Sequence, residues 1–326
     1  MTDTVTLHDV FLAARRIAPH ARRTPLERSA PLSDELGCDV YLKLECWQRT
    51  GSFKLRGALN RLLTLPDEAR RRGLLTCSAG NHGLGVAEAA RLLGLAATVV
   101  VPETASPAKV AGLRRAARGG VELLLLGADY DEAEARAREL ATARGLTFVS
   151  PYNDPAVVAG AGTVALEVLL DLPEATTIVV PVGGGGLAAG VALAAKAIHP
   201  ALRVVGAQPE ASPAMHAALA TGRLVPIADG PTLADGLAGN VEAGSLTFPL
   251  LQRHLDELVL VGEEAIAAAM LAYLDRHHLV VEGAGAVGLA ALQTGRIAAP
   301  RGPVVLIVSG GNVASGVLAR LLANAR

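Results

Sequence analysis

Short apolar segments alternate with longer amphipathic segments along most of the chain. The short segments are rich in Val, Ile and Leu and predict strands at residues 40–44, 74–77, 97–101, 121–125, 147–149, 177–182, 203–207, 256–260 and 304–308. The longer segments carry Ala, Leu, Arg and Glu with a helical period, which predicts helices between the strands and a last helix at 315–325. This alternation is typical of helices packed around mainly parallel sheets, so we expect an α/β fold.

The length of 326 residues predicts two domains. No repeat or long linker divides the chain, so we expect the domains to be interleaved rather than arranged in series. We assign residues 73–148 to a small domain and residues 1–72 and 149–326 to a large, discontinuous domain. Ligands of open α/β sheets bind where glycine-bearing turns join strands to helices, so we expect the site in the cleft between the domains.

The composition excludes several classes of protein. The 30 basic and 31 acidic residues nearly balance, and only 3% of the residues are aromatic, so the chain lacks the charge and the stacking residues that bind nucleic acids. No apolar run reaches the length of a membrane span and no signal peptide is evident, so we expect a cytoplasmic protein that does not contact membranes. Cys38, Cys46 and Cys77 form no paired motif, which argues against disulfides and structural zinc.

Lysine is rare in this chain, and arginine supplies most of the positive charge. The lysines are Lys43, Lys54, Lys109 and Lys196. An amine can lose its proton and act as a nucleophile whereas a guanidinium cannot, so each lysine is a candidate for chemistry as well as for a surface charge. Lys54 stands out because it lies in the first turn of a predicted helix, where the positive helix end and burial lower the pKa of an amine.

Four consecutive glycines at 183–186 follow a predicted strand and precede a helix predicted at 189–199. The backbone N–H groups of such a turn and the positive helix end bind an anion. The pattern Gly183-x-Gly185-x-x-Ala188 also fits the dinucleotide fingerprint, which requires an acidic residue at the end of the next strand. Gln208 stands there and Glu210 comes late, so the turn suits a single phosphate better. A tight turn without a ligand is the alternative.

Two further turns have a similar design. Ser78 to Gly83 passes from a strand into a helix predicted at 84–93, and Ser309 to Asn312 follows the last strand. Both place small hydrogen-bonding side chains at the predicted starts of helices, where Ser and Asn also serve as ordinary N-caps. Glu282 precedes another predicted helix, and a carboxylate is favourable at that end of a helix in any case.

Four segments resemble, in order and spacing, those of the serine/threonine dehydratase family of pyridoxal-phosphate enzymes. They are Ser52-Phe53-Lys54-Leu55-Arg56-Gly57-Ala58, Ser78-Ala79-Gly80-Asn81-His82-Gly83, Gly183-Gly184-Gly185-Gly186-Leu187 and Ser309-Gly310-Gly311-Asn312. The resemblance spans nearly the whole chain. It implies a fold type II, tryptophan synthase β-like architecture of two open, twisted, mainly parallel sheets flanked by helices, with pyridoxal 5′-phosphate as the cofactor.

The resemblance also implies residue roles. Lys54 would hold the cofactor as a Schiff base, Asn81 would bond its phenolic oxygen and Ser309 would meet its pyridine nitrogen. The backbone of the glycine turn would wrap the phosphate. The implied cofactor-binding set is Phe53, Lys54, Asn81, Gly183, Gly184, Gly185, Gly186, Leu187, Glu282 and Ser309. The substrate carboxylate would be received by Ser78, Ala79, Gly80, Asn81 and His82.

The implied reaction is that of a dehydratase, or ammonia-lyase. A β-hydroxy amino acid such as threonine or serine would lose water, with Lys54 removing the Cα proton, and the released aminoacrylate or its methyl analogue would then be hydrolysed by water to a 2-oxo acid and ammonia. The segment 234–244 looks more like that of dehydratases acting on less usual substrates, which leaves hydroxyectoine-derived diamino acids, phenylserine and 3-hydroxyaspartate open. The residues also leave open a β-replacement enzyme, a nicotinamide-dependent oxidoreductase and a non-catalytic anion sensor.

Two departures from the family pattern affect finer expectations. Serine racemases of this family carry a second serine where this chain has Ala79, so we do not expect racemisation. Relatives that bind a structural cation usually place an acid where this chain has Gln208, which leaves a requirement for a monovalent or divalent cation open. Dimers are common in the family, and we expect a homodimer.

Overall fold

A computed structural model of the chain describes residues 4–298 and 302–324. Over these residues the expected α/β fold is confirmed, because two mainly parallel sheets are flanked by helices. The strands are β1 (Leu26–Arg28), β2 (Val40–Lys43), β3 (Leu74–Cys77), β4 (Ala97–Val101), β5 (Val121–Leu125), β6 (Thr147–Phe148), β7 (Thr177–Pro181), β8 (Arg203–Pro209), β9 (Glu257–Val261) and β10 (Val304–Ile307).

The six-stranded sheet has the order β1-β2-β10-β7-β8-β9, and the four-stranded sheet has the order β5-β4-β3-β6. All neighbouring strands run parallel except β1, which pairs antiparallel with β2 at the edge. Each predicted strand is present. The sequence pattern gives no sign of β1, because its three residues, Leu-Glu-Arg, are mostly exposed and carry no apolar period.

The helices pack on these sheets, and no helix of the described residues is long and apolar enough to cross a bilayer. They are α1 (Leu7–Ile17), α2 (Ala30–Leu36), α3 (Lys54–Thr64), α4 (Asp67–Arg72), α5 (Asn81–Leu93), α6 (Pro107–Ala116), α7 (Tyr130–Arg144), α8 (Pro155–Asp171), α9 (Gly186–Ile198), α10 (Ala214–Thr221), α11 (Thr247–His254), α12 (Glu263–His277), α13 (Gly283–Gln293) and α14 (Ser315–Asn324).

Two helices begin earlier than their apolar pattern predicts. Helix α9 begins at Gly186 rather than at 189, and α5 begins at Asn81 rather than at 84. In each case the small residues of the preceding turn form the first helical turn, although they add nothing to the apolar period. Helix α14 is described to Asn324, and residue 325 of the predicted helix lies outside the described residues.

The strands of the four-stranded sheet all lie between residues 74 and 148. This span falls within the segment 73–148 that we assign to a small domain. The strands of the six-stranded sheet come from both sides of that segment, as an interleaved arrangement requires. The domain boundaries themselves stay a prediction.

Helices α8 and α9 cross with their backbones almost in contact. A Cβ atom on Gly190 would lie 2.4 Å from the carbonyl oxygen of Val158 and 2.6 Å from the backbone nitrogen of Gly162. Both helices are buried along most of their length. This close crossing fixes α9 in the core and therefore fixes the position of the glycine turn at its N-terminus.

A buried cluster of charges fixes the orientation of α3. The Arg56 guanidinium, 1% exposed, forms ion pairs of 2.8 Å with Glu45 and 2.7 Å with Glu167. Lys43 pairs with the other oxygen of Glu167 at 2.6 Å. Positions two residues apart on a helix point about 200° from each other. With Arg56 held in this cluster, Lys54 is directed to the other side of α3.

The helix crossing leads to a prediction for Gly190→Ala. The added methyl group has no space between the two backbones, so we expect the free energy of unfolding to fall by about 1–3 kcal/mol, measured by urea denaturation. Gly316→Ala is the matched control, because Gly316 is helical and a Cβ there meets nothing within 4 Å. The control should gain about 0.5–1 kcal/mol, and equal effects of both substitutions would contradict the close crossing.

Candidate active site

The segment before α3 pairs with the turn that follows β10. Ser52 and Gly310 form an antiparallel bridge, and the backbone N–H of Phe53 donates to the carbonyl of Ser309 over 3.0 Å. Ser52 and Ser309 are both buried. These contacts bring together two motifs that lie about 250 residues apart in the chain, and they place the first turn of α3 at the carboxyl edge of the six-stranded sheet.

The Lys54 amine lies at the centre of this region. Its Nζ donates to the carbonyl oxygen of Pro151 over 2.9 Å and lies 5.3 Å from the centroid of the Phe53 ring. Burial lowers the pKa of Lys54 to about 8, although the nearby Glu282 carboxylate opposes this shift. An amine with this pKa is partly unprotonated near neutral pH, as a nucleophile or a base requires.

The glycine turn presents free donors at the start of α9. Among the described residues, none accepts a hydrogen bond from the backbone N–H groups of residues 183–187. Gly185 has a φ of +88°, which turns the chain into the helix. Donors without partners at a helix N-terminus form an anion site, so the turn fits a phosphate group.

Tyr152 connects the glycine turn to the lysine. Its ring and backbone pack against Gly184 and Gly186, where an added Cβ would lie 2.5 Å and 2.9 Å from Tyr152 atoms. The residue before it, Pro151, accepts the hydrogen bond from Lys54. The amine and the anion site therefore lie on either side of one short segment. The sequence of this segment is Pro151-Tyr152-Asn153-Asp154-Pro155, and only the structure shows what it contacts.

The turn after β3 ends at a second helix N-terminus. The Ser78 hydroxyl accepts from the Gly80 N–H over 3.2 Å, while the N–H groups of Asn81, His82 and Gly83 have no acceptor among the described residues. Helix α5 packs on α3 so closely that a Cβ on Gly85 would lie 3.1 Å from the Lys54 carbonyl carbon. This second set of donors therefore lies beside the lysine and fits a carboxylate.

The His82 ring is neutral and is held by the protein. Its Nε2 lies 3.0 Å from the carbonyl oxygen of Val149, and because a carbonyl only accepts, Nε2 is the donor. Burial and the nearby Lys54 lower the pKa of His82 to about 3. The remaining nitrogen, Nδ1, is an acceptor and would repel a carboxylate. Any contact of His82 with a carboxylate is therefore made through its backbone N–H.

Asn81 and Glu282 come together from different sheets. The Asn81 Nδ2 donates to Glu282 Oε1 over 2.6 Å, and the Asn81 Oδ1 accepts from Asn312 over 2.7 Å. Burial raises the pKa of Glu282 to about 7, while the hydrogen bond from Asn81 opposes the shift. Both predicted cofactor contacts thus lie near Lys54, and Asn312 joins them without having been assigned a role from the sequence.

Two residues of the predicted set differ from the others in how they face the site. The Leu187 side chain is 4% exposed and belongs to the apolar core, so only its backbone N–H is available to a phosphate. Ala79 packs against an apolar cluster of the four-stranded sheet and brings no polar side chain. The binding roles of the whole predicted set stay proposals.

The segment 234–244 contacts both the glycine turn and the helices beside the four-stranded sheet. A Cβ on Gly183 would lie 2.9 Å from the Leu237 Cα. Asp235 pairs with Lys109 of α6 at 2.7 Å, and Glu242 contacts Arg138 of α7 at 3.1 Å. The sequence singles out this segment for substrate choice, but gives no sign of these contacts with the four-stranded sheet's helices.

The side chains near Gln208 do not offer the acids of a cation site. The Gln208 Oε1 accepts from the His216 N–H over 3.0 Å, and the side chain is fully buried. Over residues 4–298 and 302–324, no cluster of three or more His, Cys, Asp or Glu side chains is placed to bind a metal. Whether the enzyme requires a cation is therefore a question for a direct assay.

Glu282→Gln should change how the stability of the ligand-free protein depends on pH. The folded pKa of about 7 lies above the ordinary value of 4.5, so the folded state binds more protons between these values and its stability falls as pH rises through that window. Glutamine removes this titration. We expect the free energy of unfolding of the variant, relative to the native protein, to rise by about 1–3 kcal/mol from pH 5 to pH 8.

Urea titrations at a series of pH values would measure this difference. Glu68→Gln is the control, because the Glu68 side chain is 64% exposed on α4, and its difference should stay flat. A constant difference for Glu282→Gln as well would contradict the buried, raised titration.

Comparisons with known proteins agree with this geometry. The chain matches the family described as "Pyridoxal-phosphate dependent enzyme" over residues 17–310. The L-threonine ammonia-lyase of Geobacter sulfurreducens is 47% identical over 298 residues, which cover 91% of this chain and 73% of that protein. Among solved structures, the T.th. threonine deaminase is 40% identical with a TM-score of 0.88, covering 95% of this chain and 99% of the other. Maize serine racemase is 35% identical with a TM-score of 0.91, covering 98% of both chains.

The predicted resemblance, the fold type and the cofactor are thereby confirmed. The residues present also fit that cofactor, because a partly buried amine, N–H donors without acceptors among the described residues and polar side chains for a ring lie within one region. A nicotinamide-dependent oxidoreductase would leave Lys54 and Asn81 without a role. The chain belongs to the pyridoxal-phosphate-dependent enzyme family and is similar to its threonine ammonia-lyases.

Proposed function

We propose that this enzyme is a carbon–oxygen lyase that eliminates water from threonine, and from serine as a second substrate, to give an enamine, which water then hydrolyses to a 2-oxo acid and ammonia. The observation that carries the proposal is the Lys54 amine, which burial keeps partly unprotonated beside two helix N-termini with free donors. The threonine ammonia-lyase of Geobacter sulfurreducens and the T.th. threonine deaminase are enzymes of this kind by name.

The two sets of backbone N–H donors bind different anionic groups. The N–H groups of 183–187 hold a phosphate at the start of α9, and those of 81–83 hold the substrate carboxylate at the start of α5. Each helix adds the positive end of its dipole. Because α5 packs against the first turn of α3, a carboxylate held there brings the substrate Cα towards Lys54.

The Lys54 amine then acts as the base. Bound pyridoxal phosphate supplies an electron sink for the electron pair of the Cα–H bond. Lys54 accepts the Cα proton as an unprotonated amine, and its lowered pKa makes this form available near neutral pH. A hydroxyl such as that of Ser309 does not keep a pyridine nitrogen protonated, which favours expulsion of a β-leaving group over transamination.

Lys54→Ala should lower turnover of threonine by at least about 10³-fold, because the base and the cofactor attachment are lost together. The visible absorption band of the bound cofactor should disappear as well. Lys196→Ala is a matched control, because Lys196 pairs with Asp256 at 2.7 Å on the far end of α9. That variant should keep both signals, and a turning-over Lys54→Ala enzyme with its band intact would overturn the proposal.

We expect elimination and not racemisation. Maize serine racemase is a close structural neighbour, so the distinction must come from side chains, and Ala79 has no hydroxyl where the serine racemases of this family carry a serine. Purified enzyme given L-serine should form pyruvate much faster than D-serine, as measured by coupled assay and chiral chromatography. Ala79→Ser is the comparison that should increase D-serine formation. Faster racemisation than elimination by the native enzyme would show that the interpretation of Ala79 is wrong.

The substrate range remains part of the proposal. Within the segment 234–244, Asn240 bonds both polar groups of the Ile227 backbone and is exposed, whereas Glu242 accepts from Asn153 over 3.0 Å near the glycine turn. Parallel assays of threonine, serine, phenylserine, 3-hydroxyaspartate and hydroxyectoine-derived diamino acids would show which of these substrates the enzyme prefers. Added thiol would reveal a β-replacement activity.

A homodimer and a cytoplasmic location stay predictions for this chain, and a cation requirement stays an open question. Assay after treatment with a chelator tests the cation, and light scattering tests the assembly. None of these outcomes affects the assignment of Lys54.

A further inference from the structure

We propose that Asn312 is a positioning residue that fixes the orientation of the Asn81 side-chain amide and thereby presents an N–H group of Asn81 to the cofactor. The inference rests on the proposed cofactor contact of Asn81. It assigns a role in the site to a residue of the turn after β10.

The hydrogen bonds of Asn312 leave its amide only one orientation. Its Nδ2 donates to the Thr50 carbonyl over 2.8 Å and to the Asn81 Oδ1 over 2.7 Å. A backbone carbonyl only accepts, so the nitrogen of Asn312 must face Thr50. The second N–H of the same nitrogen then reaches Asn81.

This contact determines which way the Asn81 amide faces. Because Asn312 donates to it, the oxygen of Asn81 faces Asn312 and the nitrogen faces Glu282, where it donates over 2.6 Å. An amide nitrogen carries two N–H groups. One is used by Glu282, and the second is free for an acceptor such as a phenolic oxygen. A reversed amide would present an oxygen there and repel that acceptor.

Glu282 alone does not hold this orientation at every pH. The pKa of Glu282 is raised to about 7, and its protonated form can donate to an amide oxygen, which favours the reversed Asn81. The charged and titratable groups around Glu282 are Lys54, Asp235, Lys109 and the Cys46 thiol. Asn312 carries no titratable group, so it holds the oxygen of Asn81 whichever form Glu282 takes.

The contact also joins the two sheets. Asn81 begins α5 beside the four-stranded sheet, whereas Thr50 and Asn312 belong to the segments that pair beside the six-stranded sheet. Asn312 therefore relates the Asn81 amide to the loop that carries Lys54. The exposed Asn240, by contrast, bonds only the backbone of Ile227, 13 residues earlier in the chain.

Equilibrium binding of pyridoxal phosphate to the apoenzyme tests the proposal without relying on turnover. Asn312→Ala should raise the dissociation constant about 3- to 10-fold, the effect of one lost hydrogen bond. Asn312→Asp keeps the size of the side chain but replaces the donors with acceptors that face two carbonyl oxygens, so it should weaken binding at least as much. Thermal unfolding of each apoenzyme confirms that the variant is folded.

The pH dependence of binding provides a second readout. In Asn312→Ala, affinity should fall further as pH decreases through the pKa of Glu282, because the protonated acid then favours the reversed amide. The native enzyme should show a smaller change over the same range. Gln293→Ala is the matched control, because it also removes an exposed amide that bonds a distant element, here Glu35 at 3.0 Å. It should leave the dissociation constant unchanged at every pH.

A double-mutant cycle with Asn81→Ala distinguishes failure of the Asn312 positioning role from failure of the proposed cofactor contact of Asn81. If Asn312 acts through Asn81, the substitution at 312 should have little further effect in the Asn81→Ala background. Unchanged binding in Asn81→Ala alone would show that the proposed cofactor role of Asn81 is wrong. Weakened binding in Asn81→Ala with no effect of either Asn312 variant, or full additivity of the two substitutions, would overturn the positioning role of Asn312.

Discussion

Burial of the Lys54 amine is the constraint on which the site depends. Desolvation lowers the pKa of this amine to about 8, and an amine in water would remain protonated and chemically inert near neutral pH. Keeping an amine away from water requires packing on several sides, and here the Pro151 carbonyl, the Phe53 ring and the backbone of α5 provide it. The reactivity of one atom therefore depends on the packing of several segments around it.

Two different kinds of packing hold the helices that carry the glycine turn and Lys54. Helices α8 and α9 touch through glycines, which fixes the glycine turn at the end of an inflexible core element. Helix α3 is held by the charges of Arg56, Glu45 and Glu167, for which burial is costly unless every partner is present. Rotation of α3 would separate Arg56 from its buried partners, so the cluster holds the turn that carries Lys54 in a single orientation.

Apolar packing of α3 on α5 and on the four-stranded sheet joins the two layers, and polar contacts are added to it around the ligand groups. Asn312 and Glu282 meet Asn81 on one side, and the segment 234–244 meets α6 and α7 on the other. Exposed ion pairs such as Lys109 with Asp235 are individually weak.

The local sequence pattern determined where the strands, turns and helix starts lie, and the tertiary structure decided which residues of these elements come into contact. Apolar, β-branched runs predicted the strands, and the glycine, serine and asparagine turns marked the places where helices begin, because backbone periodicity and turn chemistry are local properties. The three-residue strand β1 carried too little pattern to be recognised. The partners of Asn81, at Glu282 and Asn312, lie more than 200 residues away in the chain. The fixed tautomer of His82 likewise depends on Val149, from another strand end. Proximity, burial and hydrogen-bond direction arise only when distant segments pack, so the sequence named the reactive lysine and the structure supplied the reason it can react.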